Sequence, residues 1–378
     1  MSNVHEVNSL QDLALLRRHW ATLLSQTAGA TFFHSLDWLE AYCRHFGAQV
    51  RLRVLIVTSG ARPIGILPLV VRTRRRFGAS VRVLNYPLDG WGCTYGPIGP
   101  NPMATLAAGL AHIRGTPRDW DLIELPWVDV TGSDGGRTSA ALDVVGLKTQ
   151  VEPWETGAIV DLAAHGTWDA YWASRSSRWR NNVRRAEKKL RERGHVSYLR
   201  YRPAGAVAGD ASPRWKLYDA CEQIARASWQ GASQSGTTLT HEHVRPFLRD
   251  CHEAAAQAGA LDLNLLFLDD EPVAFNYAYH YRGSVFGLRT GFDLGIASEG
   301  AGTVLQQRMI EDCFNRGDHL YDLGADYLDC KRYWQTRTRT TYRYSHFAER
   351  APAAQLARMK RHLRRLIGPR VKAKEATV

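Results

Sequence analysis

Cysteine is scarce in this 378-residue sequence, and its spacing argues against two classes of protein. The six cysteines form no C-x-x-C pair and have no nearby histidines at zinc-ligand spacing, so neither a disulfide framework nor a zinc finger is expected. Long apolar runs are also missing: the longest aliphatic run is residues 66–71, interrupted by Pro68, whereas a membrane span needs about 18 apolar residues. Residues 1–8 lack the basic and apolar regions of a secretory signal. The sequence therefore predicts a cytoplasmic protein with reduced thiols.

Several motifs of well-known enzyme classes are absent. The sequence has no Gly-x-Ser-x-Gly nucleophile elbow, no P-loop lysine motif and no paired metal-ligand run. Serine-hydrolase, P-loop and metal-dependent chemistry are therefore not expected, and no metal cofactor is predicted.

The positive charge of the chain is concentrated in two segments. The net charge is +12, but residues 350–378 carry nine Lys and Arg against Glu375 alone, and residues 175–193 carry nine against two Glu. The rest of the chain has a net charge of −3. This distribution weakens the case for a dedicated nucleic-acid-binding protein, although a polyanion could bind near residues 175–193.

Hydrophobic periodicity predicts an α/β (α+β) protein whose second half repeats the order of its first. Each half is expected to run from helices into a meander of strands, and then through helix, strand, helix and strand. The predicted division is an N-terminal module at residues 1–155, a C-terminal module at 156–348 and a basic tail at 349–378. No residue-level repeat accompanies this order, so the predicted duplication is architectural.

Specific stretches resemble the GNAT acyltransferase superfamily. They include Phe-His-Ser-Leu-Asp-Trp-Leu at residues 33–39, the basic segment 174–193, the strand 272–281, Ser-Glu-Gly-Ala-Gly-Thr-Val-Leu at 298–305, Tyr-Asp-Leu-Gly-Ala-Asp at 321–326 and Lys-Arg-Tyr-Trp at 331–334. Two such modules in one chain resemble the tandem-GNAT group that includes Fem-type peptidyltransferases and CelD-type acetyltransferases. The resemblance implies two GNAT-like modules with mixed, mainly antiparallel sheets flanked by helices.

The same resemblance implies a site for the pyrophosphate of an acyl-CoA. Gly300, Ala301, Gly302 and Thr303 precede a predicted helix where GNAT proteins hold CoA, and small residues at a helix N-terminus let backbone N–H groups approach phosphate. The sequence departs from the usual Gln/Arg-x-x-Gly-x-Gly/Ala pattern, because Ala297 stands at the first position. A glycine-rich loop before a capped helix is the alternative. The corresponding loop of the first half ends in Gly-Pro-Asn-Pro, so that module is expected to be degenerate and to line the substrate cleft.

The candidates for acid–base catalysis are Asp322, Asp326 and Lys331. A carboxylate at the end of a strand beside the thioester could accept a proton. The aspartates could instead cap the next helical turn, with Lys331 paired to one of them.

Six further residues are candidates for binding the substrate. Trp91 and Tyr95 in a glycine-rich loop could stack on it or pack within the loop. Arg180 could clamp an acidic group or belong to a solvated face, and Arg289 in an apolar strand could bind a carboxylate or phosphate. Alternation places Asn276 and Tyr277 on opposite faces of their strand, where either could contact a ligand or lie in the core.

These features predict a CoA-dependent acyltransferase with acetyl-CoA or another acyl-CoA as co-substrate. The acceptor would be an amine or hydroxyl of a small molecule or of a saccharide or lipid precursor. The alternatives are Fem-type transfer from aminoacyl-tRNA, for which tRNA would be a partner, and a non-enzymatic GNAT-like scaffold. In the tail, Leu356, Met359, Leu363, Leu366 and Ile367 form a basic amphipathic pattern that could contact a membrane surface or pack on the body, the latter being favoured.

Overall fold

The computed structural model describes residues 2–76, 79–88, 90–231, 233, 238–325 and 327–367. The strands are β1 (Ser2–Val7), β2 (Val50–Ser59), β3 (Arg62–Arg76), β4 (Ala79–Asn85), β5 (Leu122–Val128), β6 (Gln150–Asp161), β7 (Val196–Tyr201), β8 (Leu261–Leu268), β9 (Glu271–Tyr281), β10 (Ser284–Phe292), β11 (Leu320–Ala325) and β12 (Arg337–Phe347). The α-helices are α1 (Leu10–Leu15), α2 (Arg17–Ser25), α3 (Leu36–Phe46), α4 (Pro102–Gly115), α5 (Arg137–Val145), α6 (Trp168–Ser174), α7 (Ser177–Arg193), α8 (Trp215–Ala227), α9 (Arg245–Gln257), α10 (Ala301–Asn315), α11 (Leu328–Lys331) and α12 (Pro352–Ile367). None of the described helices is long and apolar enough to span a bilayer.

All of these strands belong to one mixed sheet with an internal repeat. Its order is β1-β2-β3-β4-β5-β12-β6-β11-β10-β9-β8-β7. In each half four antiparallel strands lead to one parallel pair, β4 with β5 and β10 with β11. The predicted α/β class, with mixed, mainly antiparallel pairing flanked by helices, is confirmed. The two modules share a continuous sheet because their last strands pair with each other.

The last strand of each half is exchanged with the other half. β6, from the first half, pairs with β11 of the second, while β12, from the second half, pairs with β5 of the first. β6 and β12 then lie side by side in antiparallel pairing at the centre of the sheet. The predicted boundary at residue 155 falls inside β6, and the division into modules there stays a prediction.

Local capping explains where several helices begin. The Ser35 hydroxyl accepts the N–H of Trp38 at 3.1 Å and starts α3 as predicted. The apolar spacing after Thr167 predicts one long helix, and this prediction is wrong: the chain leaves helical geometry at Arg175 and restarts where Ser176 caps α7. The predicted helix at residues 10–24 is likewise divided into α1 and α2.

Aromatic side chains hold the two halves together. Phe32 packs on Tyr279 of β9 with ring centroids 4.6 Å apart, and Trp38 of α3 meets Phe247 of α9 edge-on at 5.1 Å. These side chains are almost fully buried. Burial of large aromatic surface makes the junction between the halves part of the hydrophobic core.

A buried ionic network links β7 and β8 to the start of β11. Arg200 pairs with Asp262 at 2.6 Å, and Arg202 bridges Asp262 at 2.7 Å and Asp318 at 2.9 Å. Burial alone would raise the pKa of Asp262, but the charges and hydrogen bonds of Arg200 and Arg202 outweigh it and lower the pKa to about 2. Asp262 therefore stays ionised in the folded protein.

Because of this network, we expect the free energy of unfolding to fall as the pH is lowered. Unfolded Asp262 takes up its proton near its ordinary pKa of about 4, whereas the folded protein resists until about pH 2. Between those values the unfolded state binds more protons, so the free energy of unfolding should drop by up to about 1.4 kcal/mol per pH unit from this group. Denaturant titrations at pH 6 to 3 measure the slope. For the Asp262→Asn variant, the free energy of unfolding should depend less steeply on pH, by the contribution of about one proton. Equal slopes for the two proteins would contradict the lowered pKa of Asp262.

Candidate active site

A cleft opens where β10 and β11 stop pairing. Their parallel register ends at Phe286 and Asp322, although both strands continue. The cavity within the cleft has a volume of about 40 Å³. It is lined by Phe33, Trp91, Gly92, Cys93, Trp127, Glu155, Gly157, Phe286, Gly287, Leu288, Asp322, Gly324, Ala325, Arg339 and Thr341. Its walls come from both halves of the chain, because the first half contributes Trp91 and Trp127 and the exchanged strands cross its floor.

An ion pair between Asp322 and Arg339 forms the floor of the cleft. Arg339 lies on β12 and Asp322 on β11, with β6 between them in the sheet. Gly157 of β6 lies directly opposite Arg339, and a Cβ added there would approach Asp322 Oδ1 at 3.5 Å. The missing side chain therefore lets the guanidinium reach across the middle strand. Asp322 Oδ1 also accepts the Gly324 N–H at 2.8 Å, so each of its oxygens already has a donor.

Glu155 is a second carboxylate on the cleft wall. It lies two residues before Gly157 on β6, next to a shift in the β6–β12 register, and both residues line the cleft. Glu155 is only half-buried, whereas Asp322 is 2% exposed. Sequence reasoning missed Glu155 and Arg339. The apolar run in this part of the sequence predicts a strand only at residues 158–162, and no local pattern indicates that β6 and β12 would cross the site.

The Cys93 thiol also lines the cleft. Burial raises its pKa to about 12, and the negative charge of Asp322 adds to this effect despite the opposing charge of Arg339. A thiol with such a pKa is protonated at neutral pH and is a poor nucleophile. The side chain therefore contributes shape to the cleft and no attacking thiolate.

A β-bulge on β10 borders the cleft. Gly287 pairs with Ala278 of β9 and Arg289 with Tyr277, which leaves Leu288 as the extra residue. A bulge residue is unpaired in the ladder, so its backbone groups can turn toward a ligand. Leu288 lines the cleft at this point. The bulge thus offers a backbone N–H donor beside the opening between β10 and β11.

Trp127, which lines the cleft from the first half of the chain, has an unusual backbone conformation. Its φ of 66° is in the left-handed region, which a bulky side chain rarely adopts. The pairing of β5 with β12 shifts register at the same place, between Tyr342 and Tyr344. Strain of this kind persists where packing enforces it, and here it directs the indole into the cleft.

The first turn of α10 lies at the open end of β10. Gly300 has a φ of 80°, and a Cβ there would lie 2.9 Å from the Ala186 Cβ of α7. A Cβ on Gly302 would approach the Phe292 ring at 3.0 Å. Glycine is therefore needed at Gly300 both for its conformation and for the contact with α7. The N–H groups of Ala301 and Gly302 have no partner within the helix, as in any first turn.

Two of the predicted substrate residues meet at the cleft. The guanidinium carbon of Arg289 lies 4.5 Å from the centroid of the Trp91 ring, a cation–π contact that joins β10 to the loop of the first half. Tyr95 from the same loop is buried instead and stacks on His34 at 4.4 Å. Tyr95 thus supports the loop from behind.

The other three predicted substrate-binding residues, Asn276, Tyr277 and Arg180, do not line the cleft. Asn276 is buried and donates to the Tyr321 hydroxyl at 3.1 Å, while Tyr277 is fully buried beside Tyr218. Arg180 donates to the carbonyl oxygen of Ala173 at 3.0 Å and so closes the end of α6. Alternation correctly put Asn276 and Tyr277 on opposite faces, but both faces are covered by helices.

Of the two other predicted catalytic residues, Lys331 and Asp326, the structure describes only Lys331. Lys331 Nζ donates to the carbonyl oxygens of Gly324 at 3.1 Å and Ala325 at 2.6 Å, which fixes the end of β11 beside the cleft. Asp326 lies outside the described residues. Among the described residues, no cluster of His, Cys, Asp and Glu could hold a metal ion.

Comparison with known proteins identifies the second half directly. Residues 177–333 match the family model of the acetyltransferase (GNAT) domain. This match contains α7, α10 and the β10–β11 opening of the cleft. Sequence comparison with curated proteins finds no match.

Solved structures share the fold of the whole chain. FemX superposes with a TM-score of 0.63 at 13% identity, covering 94% of this chain and 99% of FemX. The L-PGS structure from Bacillus licheniformis gives 0.54 at 13% identity, covering 93% and 97%. The C-terminal domain of a putative lysylphosphatidylglycerol synthetase from Agrobacterium fabrum gives 0.54 at 10%, covering 93% and 96%. The second half of the chain thus matches the acetyltransferase (GNAT) domain, and the chain as a whole shares its fold with FemX.

Proposed function

We propose that the protein transfers an acyl group from acyl-CoA, with acetyl-CoA as the favoured donor, to an amine or hydroxyl of a small molecule or of a saccharide or lipid precursor. The cleft between β10 and β11, with the first turn of α10 at its open end, carries this proposal. A thioester can enter between strands that no longer pair, while its pyrophosphate stays outside at the helix.

The pyrophosphate would bind at Gly300, Ala301, Gly302 and Thr303. The helix dipole and the N–H groups of Ala301 and Gly302 favour an anion at this end of α10, whereas the Thr303 N–H already donates to the Gly300 carbonyl oxygen at 2.9 Å. One carboxylate lies nearby, but Glu299 is paired with Arg193 at 2.8 Å and accepts the Ser298 hydroxyl at 2.8 Å. The exposed basic side chains of α7 would add a favourable field.

In the proposed reaction the acceptor attacks the thioester carbonyl carbon within the cleft. The N–H at the Leu288 bulge would stabilise the developing oxyanion. Glu155 would take the proton from the acceptor, the C–S bond would break as the new bond to the acyl carbon forms, and the proton would pass to the departing CoA thiolate. Asp322 is less suited to this task because it is 2% exposed, whereas the half-buried Glu155 can meet an acceptor in the cleft. Because Cys93 stays protonated, direct transfer is favoured over an acyl-cysteine intermediate.

The corresponding place in the first half is closed, which supports a single active cleft. The last pair in the parallel register of β4 and β5 is Asn85 with Glu124. Glu124 therefore has the position in the first half that Asp322 has at the end of the β10–β11 register. Arg361 of α12 covers it, donating to Glu124 at 2.8 Å and to the Ser345 hydroxyl at 2.7 Å. The first module would therefore serve to line the acceptor side.

The Gly302→Glu substitution should weaken CoA binding by about 2–3 kcal/mol, roughly 30- to 150-fold, since it sets a carboxylate beside the pyrophosphate. Gly302→Ala is the matched control, because it adds the same Cβ near Phe292 without the charge. Calorimetric titration with CoA measures both affinities. Equal affinities of a folded Glu variant and the Ala variant would move the donor site elsewhere.

Aminoacyl-tRNA is a second candidate for the acyl donor, and the basic face of α7 supports it. Seven exposed basic side chains follow this helix: Arg178, Arg184, Arg185, Lys188, Lys189, Arg191 and Arg193. Polyanion binding by such a face depends steeply on salt.

Calorimetry distinguishes the two donors. The proposal predicts binding of acetyl-CoA, CoA or a longer acyl-CoA with one site per chain. No heat or thermal shift with any of these ligands, together with salt-sensitive tRNA binding, would replace the CoA proposal with the tRNA one.

A further inference from the structure

The C-terminal helix α12 is fixed to the body by its alanine face. Ala354 and Ala357 are buried, and Gln355 Nε2 donates to the Ala348 carbonyl oxygen at 2.9 Å. Arg361 reaches Glu124, whose side chain is 3% exposed. The expected packing of the larger apolar side chains on the body does not hold for Met359 and Leu363, because small side chains and one arginine fill this contact.

The larger apolar side chains of α12 point to solvent instead. Met359 is 55% exposed and Leu363 is 46% exposed. With 3.6 residues per turn, they share the side of the helix opposite Ala354 and Ala357. Leu356 is partly buried, and the side chains of Leu366 and Ile367 lie outside the described residues. A solvent-facing apolar strip on a helix that is already docked is not explained by the fold.

Charge indicates what would cover this strip. Arg358, the residue before Met359, is exposed, and residues 350–378 carry nine Lys and Arg against one Glu. A strongly basic segment favours an anionic partner. A nucleic acid would use the charge but leave Met359 and Leu363 in water, whereas an anionic lipid surface accepts both, with the apolar side chains below the headgroups and the basic ones among them.

We propose that the outer face of α12 docks the protein on an anionic membrane surface. The helix lies flat, held from behind by Ala354, Ala357 and Arg361. This inference is independent of the acyl donor and of the acceptor.

The test is co-sedimentation of the full chain with vesicles of phosphatidylglycerol and phosphatidylcholine, and with vesicles of phosphatidylcholine alone. We expect binding to the anionic vesicles that weakens with salt, and at least tenfold weaker binding to the neutral ones. The double variant Met359→Ser, Leu363→Ser should lose at least tenfold in binding with an unchanged melting temperature, because both side chains are exposed.

A matched control replaces two exposed apolar residues elsewhere. Leu15 is 82% exposed and Val207 fully exposed, so the double variant Leu15→Ser, Val207→Ser should bind vesicles like the unaltered protein. Deletion of α12 is unsuitable, since it would also remove Arg361 from buried Glu124. Absence of binding to anionic vesicles, equal binding by the α12 double variant, or binding to RNA with none to vesicles would each overturn the proposal.

Discussion

A Glu155→Gln variant should lose about 10²–10⁴-fold in kcat for acyl transfer, the usual contribution of a general base. The amide keeps the size of the side chain but cannot accept the proton of the attacking amine or hydroxyl. Since Glu155 is half-buried and belongs to β6 and not to the first turn of α10, CoA affinity and melting temperature should not change. Release of the CoA thiol with a panel of amine and hydroxyl acceptors measures the rate.

The matched control is Glu271→Gln, an exposed carboxylate at the start of β9, which should retain full activity. The competing assignment is the sequence-based prediction of Asp322. If Glu155→Gln remained active while a folded Asp322→Asn variant lost transfer, Asp322 would be the proton acceptor and the present assignment would be wrong.

An Asp262→Ala variant should lose about 3–5 kcal/mol of unfolding free energy, the cost of removing one partner from a buried ion pair, although Arg200 keeps Asp312 at 3.0 Å. The Arg200 side chain is 1% exposed and pairs with Asp262, so its guanidinium would lose its closest counter-ion without gaining water. Arg202 would lose one of its two carboxylate partners as well. Urea unfolding measures the change.

Glu192→Ala provides the comparison on the surface. Glu192 is 61% exposed and pairs with Lys188 at 3.8 Å, so its loss should change stability by less than about 0.5 kcal/mol. A loss for Asp262→Ala as small as that for Glu192→Ala would contradict a role for the buried network in stability.

The sequence predicts elements well where local signals agree. The strands β8, β9 and β10 follow from apolar runs separated by short turns, and α3 from its Ser35 cap. The break between α6 and α7 was missed because the apolar stripe continues across it, while a second cap at Ser176 decides the local geometry. β1 was also missed, since its pairing with β2 depends on a partner about fifty residues away.

The candidate site was only partly predictable for a related reason. Asp322 was found because it lies in a recognisable short strand, two residues before Gly324. Glu155 and Arg339 come from strands exchanged between the halves, and a single sequence carries no signal for that exchange. Asn276 and Tyr277 show the converse limit: alternation gives the face of a strand but not which face meets the cleft.

A crystal structure of the protein with acetyl-CoA tests the central claim most directly. The account predicts the thioester sulfur between β10 and β11 beside Gly287 and Leu288, with the pyrophosphate at the N–H groups of residues 300–303. The acetyl group should point toward Glu155. Acetyl-CoA bound between β4 and β5, or only along the outer face of α7, would contradict it.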